Sequence, residues 1–355
     1  MTDIFKVGYV PYSKDLNHPG DRRRIGVWSS STRNALELEN PTESDLLVLS
    51  GAANLNYWIK QSSQPVILDL VDGYLGEHPN FIKDFARNFL RSCNGRSNYS
   101  SITFTRALKR ACRNADAVIV ASPEQAAEVF PYNSRVNIIL DDHSELNEAR
   151  NLKKAQNLTE PSIKCIFWEG FGYTIKHFKF LALELDEFMS KSETKLLILT
   201  NPKFARWGGY LGNIDAGKLI KKWFPKSSSQ IEIIPWSISE VIRCATICDL
   251  AIIPIDTEDK FANLKPENKL LSMWHLGLPT LFSNTLSYKR VADEIGISDM
   301  AVAASDWGNA LANLKKSNLN ESLVKSEKYI DSTHTNEILV KKWQYVFETV
   351  LAKNE

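Results

Sequence analysis

The stretch whose spacing carries the most chemistry is Lys265-Pro-Glu-Asn-Lys269, after an apolar run ending at Ile255 and a polar loop. Pro266 suits the first turn of a helix, where its missing N–H costs nothing. Lys265, Asn268 and Lys269 then gather where free backbone N–H groups and the positive helix end favour an anion. Two ammonium groups and an amide donor would add charge and hydrogen bonds to a phosphate. A solvated lysine-rich helix start has the same composition, so both readings stand on the residues alone. Gly277 ends this helix and Pro279 opens the next apolar run.

Further candidates lie where apolar runs end. Glu169-Gly-Phe-Gly-Tyr173 offers two glycines, Gly170 and Gly172, that permit close backbone approach to a ligand. The third glycine of a dinucleotide fingerprint is missing, which weakens a nicotinamide-dehydrogenase reading. Glu169 is a candidate cleft carboxylate or a plain turn acid, and Lys176 lies within reach of the same loop. In Arg206–Asn213, Trp207 or Tyr210 could stack on a ring, or the loop is only a flexible connection. Asp72, ahead of Gly73, ends a buried run and could take a proton from a hydroxyl or stabilise developing positive charge. Asp69, three residues earlier within the run, reads as structural. Arg22, Arg23 and Arg24 follow the first run and could fork onto phosphate or carboxylate, or form a solvated basic turn. His143 sits at the end of the first half, as apt for a hinge as for catalysis.

The elements that must position these residues alternate. Apolar β-rich runs at 5–10, 46–50, 66–71, 117–121 and 136–140 read as buried parallel strands. A second series falls at 163–168, 195–200, 230–234, 249–255, 279–283 and 300–304. Amphipathic stretches between them predict helices at 80–92, 101–114, 123–129, 176–189, 215–223, 237–248, 266–276, 287–295 and 306–316, with two more closing the chain at 320–330 and 335–353. The polar stretch 141–160 reads as a linker. Repeated strand–helix units imply parallel sheets with right-handed crossovers. The fold class is therefore α/β with two doubly wound, Rossmann-like domains. The expected boundaries are 1–150, 151–330, and a terminal helix over 331–355.

Bulk properties narrow the function. The chain has 355 residues, 43% hydrophobic and 24% charged, which fits two ordinary domains. Net charge is +1 and neither half is strongly basic, so nucleic acid is not the expected partner. The five cysteines show no metal-ligand spacing, and Cys244 and Cys248, four apart in a helical run, read as buried thiols. No signal peptide and no apolar run of roughly 20 residues is visible, so a cytoplasmic location is expected. The segment 83–113 concentrates Lys83, Arg87, Arg91, Arg96, Arg106, Lys109, Arg110 and Arg113 against Asp84, with Phe81, Phe85, Phe89 and Phe104 interleaved. Such a run is a solvated face over a core stripe, or a surface for anionic lipid headgroups through Lys83, Arg87, Arg91 and Arg110.

Residues 265–280, Lys-Pro-Glu-Asn-Lys-Leu-Leu-Ser-Met-Trp-His-Leu-Gly-Leu-Pro-Thr, resemble the donor-site signature of GT-B glycosyltransferases of the group 1 type. The preceding Cys248-Asp-Leu-Ala-Ile-Ile-Pro254 and the following Ser283 and Tyr288 are similar too. The resemblance covers residues 163–290, and the terminal helix around Trp343 and Tyr345 resembles the family's helix that crosses back to the first domain. It implies two domains facing a cleft, a nucleotide-sugar donor held by the second, and a glycan or polyprenyl-linked acceptor taken by the first. Lys265, Asn268 and Lys269 would hold the donor diphosphate or its sugar. Many relatives carry two glutamates eight positions apart; here those positions are Leu264 and Ser272, so the carboxylate for the donor ribose is lost at Ser272. Asp72 and Glu169 are the expected catalytic carboxylates. Neither a cofactor nor a metal is expected, since no Asp-x-Asp motif lies in a strand-end loop. Similar proteins serve bacterial surface polysaccharide (O-antigen or capsule) assembly. The competing readings are a sugar-nucleotide epimerase on the same scaffold and a catalytically silent sugar-nucleotide binder.

Overall fold

The computed structural model describes residues 4–75, 84–85, 89, 103–156, 162–205 and 212–353. Most of the helix expected at 80–92, with Lys83, Arg87 and Arg91, and the ring pair Trp207 and Tyr210 lie outside the described residues. The chain divides into two compact units. Unit 1 comprises Met1–Asp142, Leu264–Asn268 and Thr333–Glu355, and unit 2 comprises His143–Asn263 and Lys269–Ser332.

Unit 1 is built on a six-stranded sheet in the order β2-β1-β3-β4-β5-β6. Its strands are β1 (Lys6–Val10), β2 (Ala35–Glu37), β3 (Leu46–Ser50), β4 (Val66–Leu70), β5 (Ala117–Val120) and β6 (Val136–Ile138), all paired in parallel. Every residue of β3, β4 and β5 is buried, which is why they read as unbroken apolar runs rather than alternating ones. Strand order reverses between β1 and β3, and ligands of open parallel sheets bind beyond the carboxyl ends at such a point. The terminal helix Asn336–Leu351 belongs to this unit: Leu339, Trp343, Val346, Phe347 and Val350 pack into one core with Phe5, Val7, Tyr9 and Trp28. Phe347 meets Trp28 edge-on with ring centroids 4.7 Å apart.

Unit 2 carries a second six-stranded parallel sheet, β11-β8-β7-β12-β13-β14. The strands are β7 (Cys165–Glu169), β8 (Lys195–Thr200), β11 (Ile231–Pro235), β12 (Leu250–Ile253), β13 (Thr280–Ser283) and β14 (Ala301–Val302). A small antiparallel pair, β9 (Lys203–Ala205) and β10 (Asn213–Asp215), sits between β8 and β11 in sequence. Counted without that pair the order is 3-2-1-4-5-6, with its switch point between β7 and β12. Caps fix the helix starts locally. Asp215 accepts from the Lys218 amide, Ser237 from Glu240, and Thr335 from Ile338.

Differences from the sequence expectations have local causes. The expected linker contains a 3-10 turn at Ser144–Leu146 and a helix at Asn147–Gln156, whose polar composition hid it. The helix expected at 176–189 is a 3-10 segment, Gly172–Phe180, followed by a helix over Ala182–Ser192. The short helix Ile25–Ser31, in a stretch for which no element was expected, follows Arg24, and its Trp28 is wholly buried. That burial depends on the terminal helix about 300 residues away, which no local pattern announces (Trp28 Nε1 donates to Gln344 Oε1, sequence separation 316).

Candidate active site

In unit 2 the strand-end loops of β7 and β12 flank the switch point. Glu169, last residue of β7, accepts from Trp236 Nε1 at 3.0 Å, and Trp236 follows the end of β11. Lys269, second residue of the Asn268–His275 helix, sends its ammonium to the Glu169 carbonyl and lies 4.5 Å from the Trp168 ring centroid. A cation over an indole face is attracted by the ring quadrupole, so Lys269 is held in a defined place. Lys176 pairs with Asp259 at 2.9 Å, tying the segment after β7 to the loop after β12. In that β12 loop, the Asp256 amide donates to His177 Nδ1 and the Ile255 amide donates to Ser283 Oγ.

The two loop glycines are needed for packing. A Cβ at Gly172 would stand 2.5 Å from a Phe204 ring atom, and one at Gly170 would stand 2.8 Å from Thr174 Oγ1 and 3.0 Å from the Trp168 ring. Both glycines thus permit close approach of protein to protein at the loop where the approach of a ligand was expected. Phe171 and Tyr173 alternate with them, stack on each other at 5.9 Å and remain exposed. Gly277 is required by conformation: its φ of +70° closes the Asn268–His275 helix, with Gly277 and Leu278 amides donating to Trp274 and Met273 carbonyls.

Ser272 is buried on that helix, and its Oγ lies 3.0 Å from Nδ1 of the equally buried His143. Ser272 thus makes an internal hydrogen bond. His275, one turn on, pairs through Nδ1 with Asn147 Oδ1 at 2.8 Å. His143, expected as a contact for an acceptor or phosphate, is buried with its Nδ1 on Ser272. One residue that sequence reading missed is Thr285. It is fully buried at the start of the Leu286–Ile295 helix, after β13, with no hydrogen-bond partner for its hydroxyl among the described residues. Only the small polar pattern after the apolar run hinted at it.

In unit 1 the strand ends of β1, β4 and β6 bring together a second group. Asp72 follows β4 and is half-buried. Burial pushes its carboxyl above the usual range; Lys265 and His18 pull it down, and Asp141 pushes it up. The segment Leu264–Asn268 lies against this strand end. A Cβ on Gly73 would stand 3.2 Å from the Leu264 carbonyl oxygen, and the Asp141 amide donates to Asn268 Oδ1 at 3.1 Å. Lys265 and Asn268 thus accompany Asp72 and Asp141 in unit 1, while Lys269 is the first residue of the motif in unit 2. The helix begins at Asn268, two residues after Pro266, so Asn268 and Lys269 are its first residues and Lys265 precedes it.

The loop after β1 is held by Asp21, which accepts from Tyr9 Oη at 2.5 Å, the Tyr12 amide at 2.8 Å and the Ser13 amide at 2.9 Å. His18 caps the Pro19–Arg22 helix through Nδ1 and stacks on Tyr12 at 4.7 Å. Arg24 departs from its expected role as an anion contact. It is completely buried, its Nε and Nη2 grip Asp69, and its Nη1 donates to Asp141 at 3.0 Å and the Ile139 carbonyl at 2.7 Å. Burial opposes its charge, but Asp69 and Asp141 more than offset this and hold its proton tightly. Arg22 and Arg23 are half-buried, and the Arg23 carbonyl accepts from the Asp142 amide. The structural partner expected for Asp69 is therefore Arg24.

No family model and no curated protein matches the chain. Solved structures do. A glycosyltransferase from Rickettsia africae ESF-5 matches over 99% of both chains at 11% identity, with a TM-score of 0.61. WaaG, described as a glycosyltransferase involved in lipopolysaccharide biosynthesis, matches over 96% of this chain and 97% of its own, at 11% identity and a TM-score of 0.53. TarM matches over 85% of this chain at 10% identity and a TM-score of 0.56, but only 54% of TarM is covered, so the chain spans about half its length. At such identities the likeness speaks for architecture: the chain has the two-sheet GT-B fold of solved glycosyltransferases.

Proposed function

We propose that the protein transfers a sugar from a nucleotide-sugar donor to a glycan or lipid-linked glycan acceptor, without a metal ion. The observation that carries this reading is the end-to-end match of both parallel-sheet units to a solved glycosyltransferase. Unit 2 takes the donor. Lys269, fixed beside Glu169 and Trp168, and the uncapped start of the Leu286–Ile295 helix supply positive charge and amide donors for a diphosphate leaving group. Unit 1 takes the acceptor. Asp72 accepts the proton of the acceptor hydroxyl as its oxygen bonds to the anomeric carbon and the sugar–phosphate bond breaks. Lys265 pulls the Asp72 pKa down and so offsets part of the rise that burial imposes, which suits a group that must take up a proton. Glu169 is bonded to Trp236 and serves to position the β7 loop.

We further propose a place in bacterial surface-polysaccharide synthesis, O-antigen or capsule; the likeness to WaaG, described as involved in lipopolysaccharide biosynthesis, supports only the broader class. No helix among the described residues is long and apolar enough to cross a membrane. Contact with a lipid-linked acceptor would then come from the basic face that includes exposed Arg106 and Arg110 on the Phe104–Asn114 helix. The first experiment is a calorimetric screen of nucleoside diphosphates and monophosphates. Saturable binding of one diphosphate, tighter than its monophosphate and unchanged by EDTA, is expected; no binding across the panel would overturn the reading.

A further inference from the structure

Four cysteines are described, and all are buried. Two of them meet. Cys165 opens β7 and Cys248 follows the Ile238–Ile247 helix, and their sulfurs are 3.0 Å apart. The backbone already clamps the two segments together. The Cys165 amide donates to Asp249 Oδ2 at 3.0 Å, and the Asp249 amide donates back to the Cys165 carbonyl at 2.8 Å. Ile166 and Leu250 continue the pairing as register partners of β7 and β12. Cys248 stands one position off that register, next to the Asp249 that pairs with Cys165, so strands about 4.8 Å apart with a rise of about 3.3 Å per residue put the two Cα atoms roughly 6 Å apart, inside the separation of about 4.4–6.8 Å that disulfides accept. Closing the bond to about 2.05 Å needs the sulfurs to approach by about 1 Å and no change of register.

The pair is asymmetric in the way a reactive and a resolving thiol differ. Cys165 retains 9% exposure and Cys248 only 1%. The hydrogen bond between the two sulfurs lowers the Cys165 pKa and, with burial, raises that of Cys248. Lys153 brings an ammonium to this corner, donating to the carbonyls of Ala245 and Cys248. Cys244, one turn before Cys248, has Arg243 Nη2 at 3.3 Å from its sulfur, and its thiol is pushed up to about 11 by burial. Cys112 lies in unit 1, pushed up to about 12.

We propose that Cys165 and Cys248 form a reversible disulfide under peroxide, a modification site at the amino-terminal ends of the strands flanking the unit 2 switch point. The Cys165 thiolate attacks one peroxide oxygen, the O–O bond breaks, and the departing hydroxide takes a proton to leave as water. The Cys248 sulfur then attacks the Cys165 sulfenic acid, forming the S–S bond and releasing a second water. Two thiols lose two electrons and one peroxide gains them. The bond closes a long loop, since the two residues are separated by 83 positions. It therefore restrains the unfolded chain and holds β7 to β12 without touching the loops at their carboxyl ends.

The test treats the full chain with hydrogen peroxide, then quenches, denatures and alkylates it, and maps peptides without reduction. The expected result is a Cys165–Cys248 cross-linked peptide, a loss of two titratable thiols, full reversal by dithiothreitol and a Tm raised by roughly 5 °C or more. A chain with Cys93, Cys112 and Cys244 replaced by serine should still cross-link, and Cys165→Ser should neither cross-link nor gain in Tm. Recovery of Cys165 and Cys248 as thiols, over-oxidation of Cys165 without a link, or linkage through another cysteine would overturn the proposal.

Discussion

Removing the Asp69 carboxylate should damage the fold far more than removing both it and its partner. Arg24 is wholly buried and Asp69 meets it through Nε at 3.0 and 2.9 Å and Nη2 at 2.5 Å. Asp69→Ala strands the guanidinium with Asp141 and the Ile139 carbonyl only. Breaking one side of a buried pair costs about 3–5 kcal/mol, a large part of a typical stability of about 5–15 kcal/mol. Asp69→Asn keeps an acceptor and should cost less, about 1.5–3 kcal/mol, the range for hydrogen bonds to a charged group. Arg24→Met with Asp69→Leu removes both wholly buried charges and leaves Asp141, 12% exposed at its side chain, as the group that loses an ion-pair partner. The double variant should therefore be more stable than Asp69→Ala. Urea unfolding followed by tryptophan fluorescence reads this, because the Trp343 ring lies 5.7 Å from the Arg24 guanidinium carbon. A cost below about 1 kcal/mol for Asp69→Ala, or a double variant as unstable as the two single changes summed, would refute the argument.

Three other outcomes follow from the same geometry. Lys265 holds the Asp72 pKa down, so Lys265→Met should move the acid limb of the turnover profile to higher pH; activity needs ionised Asp72, which appears only as pH rises through its pKa. An unmoved limb separates Lys265 from Asp72. Lys269→Ala should weaken nucleoside-diphosphate binding by roughly 1.5–3 kcal/mol while the protein stays folded, and unchanged calorimetric affinity removes Lys269 from the donor site. Replacing exposed Arg106 and Arg110 by Glu should reduce binding to vesicles rich in anionic lipid, and salt should weaken the wild-type interaction, since exposed charges are screened over about 8–10 Å. Wild-type indifference to such vesicles at low salt would discard the lipid-facing reading.

Sheet architecture was legible because buried parallel strands advertise themselves as apolar runs, as in Leu46–Ser50 and Leu250–Ile253. Edge strand Ala35–Glu37 was not, being three residues of mixed exposure. The helix Asn147–Gln156 passed for a linker because its mostly polar sequence lacks a clear apolar stripe. The position of Asp72 just past a buried strand was legible from the apolar run and the glycine that follows it. The role of Arg24 was not, since its partners Asp69 and Asp141 lie 45 and 117 residues away. What Gly170 and Gly172 pack against was hidden for a related reason. A glycine that lets a ligand approach and one that lets Phe204 approach look alike until the packing is seen.

The central claim is that this fold transfers sugar with Asp72 acting on the acceptor. Its most direct measurement is turnover of a nucleotide-sugar panel with saccharide and lipid-linked acceptors, comparing wild type with Asp72→Asn at saturating donor. The account predicts acceptor-dependent release of nucleoside diphosphate by wild type, unaffected by EDTA. Asp72→Asn should bind the same diphosphate normally yet turn over about 10²–10⁴ times more slowly. A folded wild type that binds the donor but transfers nothing, or an Asp72→Asn protein with undiminished turnover, would contradict it.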